Sequence, residues 1–462
     1  MTACLLIDFG STYTKLTAVD LTQEIILGTS KSKTTIETSI MDGFYTAKKE
    51  LLEKIDQPNI EFKHHFACSS ARGGFRMIAI GLSPTLTTEA AKRAALGAGT
   101  RILKVYSYGL KKEDIVEIET LNPDIILVCG GTNGGNTEGI INDTKLLTSL
   151  RQPFPLVVAG NEEAYPIIEE LLKTTNLPYY LTENVMPQIN VLNDQPTREI
   201  LRDIFMKKIV EAKGMDTAEK EIGNILMPTP TAVLHAAELL ANGTATENGL
   251  DSVLVIDIGG ATTDLHSIGD GKPSNPEIRM EGLQEPNSKR TVEGDLGMRY
   301  SALSLLESVK YKKFNHYLPD MEEEDIYRAC AFRSTHPEMV AKTTGETNFD
   351  EVMGKIAIET AFNRHAGSYR REPTPSRILL YQTGKDLGAF DAIIGTGGIL
   401  IHSKKSEEMM AACLRVENDS YLKPIQPNFY LDQSYILSAM GLLSDKFPDI
   451  ALRILKKYLV KL

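Results

Sequence analysis

Asp8, Gly10, Ser11 and Thr12 stand in the stretch Leu5–Leu16, and Asp257, Gly259, Gly260, Thr262, Thr263 and Asp264 stand in a second, Val253–Leu265. Each stretch is an apolar run, then Asp, then Gly, then small hydroxyl residues. A strand ending in Asp and followed by Gly can fold into a tight hairpin whose N–H groups point outward. The Ser11 and Thr12 hydroxyls add donors, so such a turn can cradle phosphate oxygens. Asp8 and Asp257, at the strand ends, can hold Mg²⁺, which keeps much of its water and takes a few carboxylates together with substrate phosphates. Either copy alone reads as an ordinary strand-end turn. Two copies, each behind a buried strand, would grip the phosphate tail of a nucleotide from both sides. A third stretch, Ala392–Leu400, carries Gly395, Thr396, Gly397 and Gly398 behind an apolar run. Glycines there would let backbone approach adenine or its ribose.

Strands and helices must place these residues. Cys4–Phe9 reads as a buried strand, Lys15–Asp20 and Glu24–Thr29 as a hairpin or meander, Asp42–Ile55 as a helix and Glu61–Ser69 as a further strand. From Gly73 to Lys220 the pattern changes to apolar strands (Arg101–Tyr106, Ile125–Cys129, Leu156–Ala159, Tyr179–Leu181) alternating with helices, which predicts an inserted α/β domain with a parallel sheet. A helix is predicted at Thr231–Asn242, a strand at Ala392–Ile394, and helices at Ser434–Ser444 and Ile450–Leu459. Between these, Gly269–Asn287 is an excursion rich in Pro and charge.

Composition narrows the function. The 462 residues carry a formal net charge of −11 with no dense basic run, which excludes nucleic-acid binding as the expected role. Five scattered cysteines without a CxxC pattern predict small buried hydrophobes and not a metal cluster or a disulfide framework. With neither a signal-peptide pattern nor an apolar stretch of spanning length, a cytoplasmic protein without a membrane partner is expected. The loop Cys129–Gly135 (CGGTNGG) reads either as an anion cradle or as a wide turn needing positive φ. Asn133, Asn136 and Asn161 could read a polar small molecule or a partner.

The order of the motifs resembles the superfamily of actin, sugar and acetate kinases and heat-shock chaperone ATPases. The resemblance implies an α/β, two-lobed actin-like ATPase fold, with paired ribonuclease-H-like sheets closing on ATP and Mg²⁺ and an inserted α/β domain. Asp8–Lys15 and Asp257–Asp264 match the phosphate motifs and Gly395–Gly398 the adenosine motif; Lys15 reads either as neutralising γ-phosphate charge or as a strand lysine that points to solvent. Thr231–Asn242 and Ser434–Ser444 match the connecting helices, and Gly294, Asp295 and Arg299 a helix start that packs near adenosine. More narrowly, Cys68–Met77, Glu89–Gly99, Asp124–Gly135 and Thr291–Arg299 are similar to the GlmL/MutL family, accessory proteins encoded with adenosylcobalamin-dependent glutamate mutase. That likeness implies a chaperone-like reactivase that binds mutase subunits and helps exchange damaged cobalamin.

Two departures qualify the expectation. The chaperone ATPases place a Glu before Pro-Thr-Ala to position the attacking water, and here Thr229 stands in that place. Ala261 occupies a glycine position of the second hairpin, which is tolerable if its φ is negative. ATP binding with slow hydrolysis follows, with Asp264 the candidate to orient water beside Asp8 and Asp257. The alternative is a small-molecule kinase using Asp264 or His266 as base. Expected boundaries are 1–72 for the first lobe, 73–220 for the insertion, 221–250 for the first connecting helix, 251–430 for the second lobe and 431–462 for the C-terminal helices.

Overall fold

The run Ala3–Phe9 is buried at every residue, as a strand covered on both faces must be. The computed structural model describes the chain except residues 1, 11–12, 36–38, 56–59, 71–74, 85, 98–99, 211–220, 224, 274, 376 and 418. The chain divides into two compact units, Met1–Val233 with Gly282–Gln284, and Leu234–Glu281 with Glu285–Leu462.

In the first unit β1 (Ala3–Phe9) pairs antiparallel with β2 (Tyr13–Asp20), and β2 with β3 (Ile25–Lys33). The helix Ile40–Ile55 turns Ile40, Phe44, Ala47 and Leu51 inward at helical spacing and packs on β2 and β3. β4 (Phe62–Ser69) lies parallel to β1 on its other side. Then follow β5 (Phe75–Gly81), β6 (Thr100–Ser107), β7 (Ile125–Val128), β8 (Leu156–Val158) and β9 (Tyr179–Leu181). They form one parallel sheet in the order β6-β5-β7-β8-β9. Met77, Ala79, Ile125 and Leu127 meet Ala90, Ala94 and Leu201 of the helices Thr87–Gly97 and Gln195–Val210, in a core continuous with that of β1. Ile78, Ile80, Ile126 and Val128 face the opposite way, against Ile118, Ile140 and Ile168. β10 (Ile225–Pro228) returns to lie parallel beside β4. The helix Thr229–Asn242 follows directly, two residues earlier than its apolar spacing predicts, because Pro230 is tolerated in a first turn.

The second unit repeats the first sheet. β11 (Val253–Ile258) pairs antiparallel with β12 (Thr263–Ile268), β13 (Arg279–Glu281) lies in the excursion, and β14 (Ser288–Glu293) pairs antiparallel with β12. β15 (Ser368–Pro373) and β16 (Ile378–Thr383) join β13 in a small sheet that the sequence does not announce. β17 (Ala392–Thr396) lies parallel to β11 and β18 (Asn428–Leu431) parallel to β17, with β19 (Val460–Lys461) at the edge. The order β14-β12-β11-β17-β18 matches β3-β2-β1-β4-β10 strand for strand and direction for direction. These are the paired ribonuclease-H-like sheets of the expected α/β fold. Helices Ala302–Tyr317, Glu323–Thr335 and Thr344–His365, also unannounced, supply much of the second core. The second connecting helix is shorter than expected, Leu437–Leu443.

His266 on β12 and His365 lie inside this unit. Burial, with Arg290 beside it, holds His266 down at about 3, and burial holds His365 well below the ordinary histidine range. Below about pH 6.5 the unfolded chain therefore protonates both rings while the folded unit does not. For His266, stability is lost as pH falls from there toward 3, by about 1.4 kcal/mol per pH unit, and His365 acts in the same direction. Urea unfolding between about pH 4 and pH 7 should show a shallower slope for His266→Leu than for the wild type; equal slopes would contradict this assignment.

Candidate functional site

β1 must reverse into β2 immediately after Asp8 and Phe9. Gly10 makes this possible: its N–H donates to the Tyr13 carbonyl at 3.1 Å, and a Cβ on it would stand 2.6 Å from that oxygen. Ser11 and Thr12 lie outside the described residues. Asp8 faces Lys15 directly across the strand pair, so the two side chains share one face. The Asp8 carboxylate, 5% exposed, accepts a 2.6 Å hydrogen bond at Oδ1 from Thr229 Oγ1. Cys68, beside Asp8 on β4, lies 3.6 Å from the same hydroxyl. Burial and then the charge of Asp8 push its thiol well above the ordinary range, so it stays protonated.

The second hairpin closes in the same way, with Gly259 N–H donating to the Thr262 carbonyl at 2.9 Å. Opposite Asp257, where the first hairpin has lysine, stands Asp264. Two carboxylates facing one another would repel, and Asp264 Oδ1 instead takes a 2.6 Å ion pair from buried Arg290 on β14. Asp264 Oδ2 accepts from Thr262 Oγ1 at 3.0 Å. Thr262, expected to donate to phosphate, thus gives its proton to Asp264 and has only lone pairs left to offer. Thr263, expected in the same role, is fully buried and donates to the Leu296 carbonyl at 2.6 Å. Ala261 is not among the residues of positive φ, which is how it replaces a glycine.

Gly294, Asp295 and Arg299 do not begin a helix; they form a turn and bend between β14 and the helix Ala302–Tyr317. Backbone N–H groups of Met298 and Arg299 donate to the carbonyls of Gly259 and Gly260 at 3.0 and 2.8 Å. Ser301 Oγ bridges the carbonyls of Ala261 and Gly294 at 2.7 and 2.9 Å. Arg299 pairs with Asp350, which also takes Arg333, and Asp295 makes a two-point pair with Arg364. The segment braces the second hairpin, and the charged side chains expected near adenosine are bound to partners within this unit.

At the end of β17, Gly397 has φ +97 and sits so close to Ile258 that a Cβ would run into its backbone. Gly398 is exposed, with Tyr435 Oη 3.5 Å from where its Cβ would be. Gly395 differs from expectation: it is buried, and a Cβ would meet Met410 and Leu400 of the core. Thr396 Oγ1 donates to Asp432 Oδ2 at 3.2 Å, and Asp432 also accepts from the N–H groups of Ile436 and Leu437. Asp432 and Arg290 went unnoticed in the sequence, although an Asp shortly before a helix is a common cap. Thr396 is the register partner of Asp257, so acid and glycine loop end side by side.

In the parallel sheet of the first unit, Gly131 and Gly134 take φ +70 and +76, as the wide-turn reading requires. Asn161 Nδ2 donates to the Gly135 carbonyl, and Asn184 Nδ2 to the Gly131 carbonyl and Asn133 Oδ1. This loop is held by amide side chains that reach it from Asn161 and Asn184.

Two substitutions test these placements. Gly397→Ala should cost roughly 2–4 kcal/mol in urea unfolding, from positive φ and overpacking together. Asp264→Asn should cost about 3 kcal/mol by weakening a buried ion pair; wild-type stability in that variant would show Asp264 to be uncommitted.

The family model described as MutL protein matches residues 4–459. Protein MutL of Clostridium tetanomorphum is 52% identical over 462 residues, covering 100% of each chain. Among solved structures, an acetone carboxylase in nucleotide-free form has TM-score 0.42 at 13% identity, covering 96% of this chain and 70% of its own. The (R)-2-hydroxyglutaryl-CoA dehydratase component A of Acidaminococcus fermentans has TM-score 0.32 at 11% identity, covering 99% of both. Xylulose kinase of Lactobacillus acidophilus has TM-score 0.35 at 11% identity, covering 100% of this chain and 93% of its own. At such scores the fold rests on its own strand order. The match along nearly the whole chain, with half the residues of a full-length relative retained, places this chain in the MutL protein family.

Proposed function

We propose that the chain binds ATP with Mg²⁺ through its two Asp-Gly hairpins and serves as a chaperone-like reactivase of an adenosylcobalamin-dependent mutase such as glutamate mutase. One observation carries the nucleotide reading. The same turn, closed by the same glycine N–H bond behind the same acid, recurs in two sheets of identical order. The mutase partnership draws its support from family membership.

The residues present suit such a ligand. Among the described residues no group of three or more His, Cys, Asp or Glu is gathered to hold a metal alone. Mg²⁺ needs no such cage, since phosphates and water supply most of its ligands. Asp8 and Asp257 would hold the hydrated ion, which would offset phosphate charge. Backbone of Gly10, Gly259 and Gly260 would approach the phosphates, Lys15 would add a positive charge, and exposed Gly398 would face adenosine, Gly397 being buried against Ile258. Slow turnover fits Thr229 in the place of a glutamate and Asp264 spent on Arg290. The same facts weigh against a kinase, whose other candidate base, His266, is buried in the core.

Mutase carrying damaged cobalamin should recover activity when this protein, ATP and intact cofactor are added. Asp8→Ala and Asp257→Ala should each lower that recovery at least tenfold, as loss of a metal-holding carboxylate implies. A mutase whose recovery ignores ATP would sink the proposal.

A further inference from the structure

We propose that Thr229 is a positioning residue whose hydroxyl fixes the Asp8 carboxylate for the nucleotide-bound cation; the role rests on the ATP reading above. Three parallel strands of the first unit end together: Asp8 of β1 is in register with Cys68 of β4, and Pro228 of β10 with Ser69. Thr229 is the next residue, at the start of a helix, and the register brings it to Asp8 although 221 positions separate them. A 2.6 Å bond from a hydroxyl to a carboxylate is of the short, charge-assisted kind.

The donor's setting makes it rigid. Thr229 is β-branched, which restricts χ1, and Pro230 fixes φ in the same helical turn. The donor is also neutral. Arg290 brings a positive charge to Asp264, whereas the Thr229 hydroxyl orients Asp8 without adding a charge of its own. A glutamate at position 229 would set a second negative charge beside Asp8. Threonine there removes a water-orienting acid and supplies a donor in its place, which favours holding the nucleotide over hydrolysing it.

Calorimetric titration with ATP, in Mg²⁺ and separately in EDTA, separates this role from a purely structural one. Thr229→Val should weaken binding in Mg²⁺ about tenfold, equivalent to about 1.4 kcal/mol, and leave binding in EDTA unchanged. Thr229→Ser should stay within about twofold of the wild type, since it keeps the donor. Thr229→Ala gives the same reading if the valine variant fails to fold. Wild-type affinity in the variants lacking the hydroxyl, or an equal loss with and without Mg²⁺, would overturn the proposal. A wild-type protein that binds no ATP under either condition would instead overturn the ATP reading, and this role with it.

Discussion

Each Asp-Gly hairpin depends on a single closure, a glycine N–H bonded to the carbonyl three residues ahead, which leaves no room for a side chain at Gly10 and little at Gly259. At Gly10 the margin is 2.6 Å and at Gly259 it is 3.1 Å. That closure lets an antiparallel pair reverse just beyond an acid, so the acid ends its strand at the sheet's C-terminal edge. There the neighbouring parallel strands deliver their own ends: Cys68 and Thr229 beside Asp8, and Thr396, itself bonded to Asp432, beside Asp257. Ligands of parallel α/β sheets bind at such edges.

Identical architecture does not mean identical chemistry. Across from its acid the first hairpin has Lys15 and the second has Asp264. The like-charged pair in the second requires a buried arginine, and that arginine lies on the next strand. The hydroxyl of Thr262 is drawn into the same arrangement, and the carbonyls of Gly259 and Gly260 are tied down by the segment from Gly294 to Ser301. The second hairpin is thus heavily braced by its own unit. In the first, the Thr229 hydroxyl donates to the acid, and Lys15 stands across from it.

Local features were legible. The strands β6 to β9 were found within a residue at either end because buried parallel strands are compact apolar runs bounded by turns. Gly10 and Gly259 are legible because a tight hairpin needs glycine, whereas Gly397, read from the sequence as an adenosine contact, is a glycine because of its close approach to the Ile258 backbone. Side-chain roles were less legible because partners come from far away. Arg290 lies 26 positions from Asp264, Asp350 lies 51 from Arg299, and Arg364 lies 69 from Asp295. The helix Thr344–His365 escaped notice because its buried residues include Asp350, Glu351 and Gly354, which blur any apolar stripe. Its capping box, Thr343 with Glu346, was the available signal.

The central proposal is that the chain binds a single ATP. Equilibrium titration of the full chain with ATP in Mg²⁺, read as stoichiometry, tests it most directly. The account predicts one nucleotide per chain. Two nucleotides per chain, each hairpin acting alone, or none at all, would contradict it.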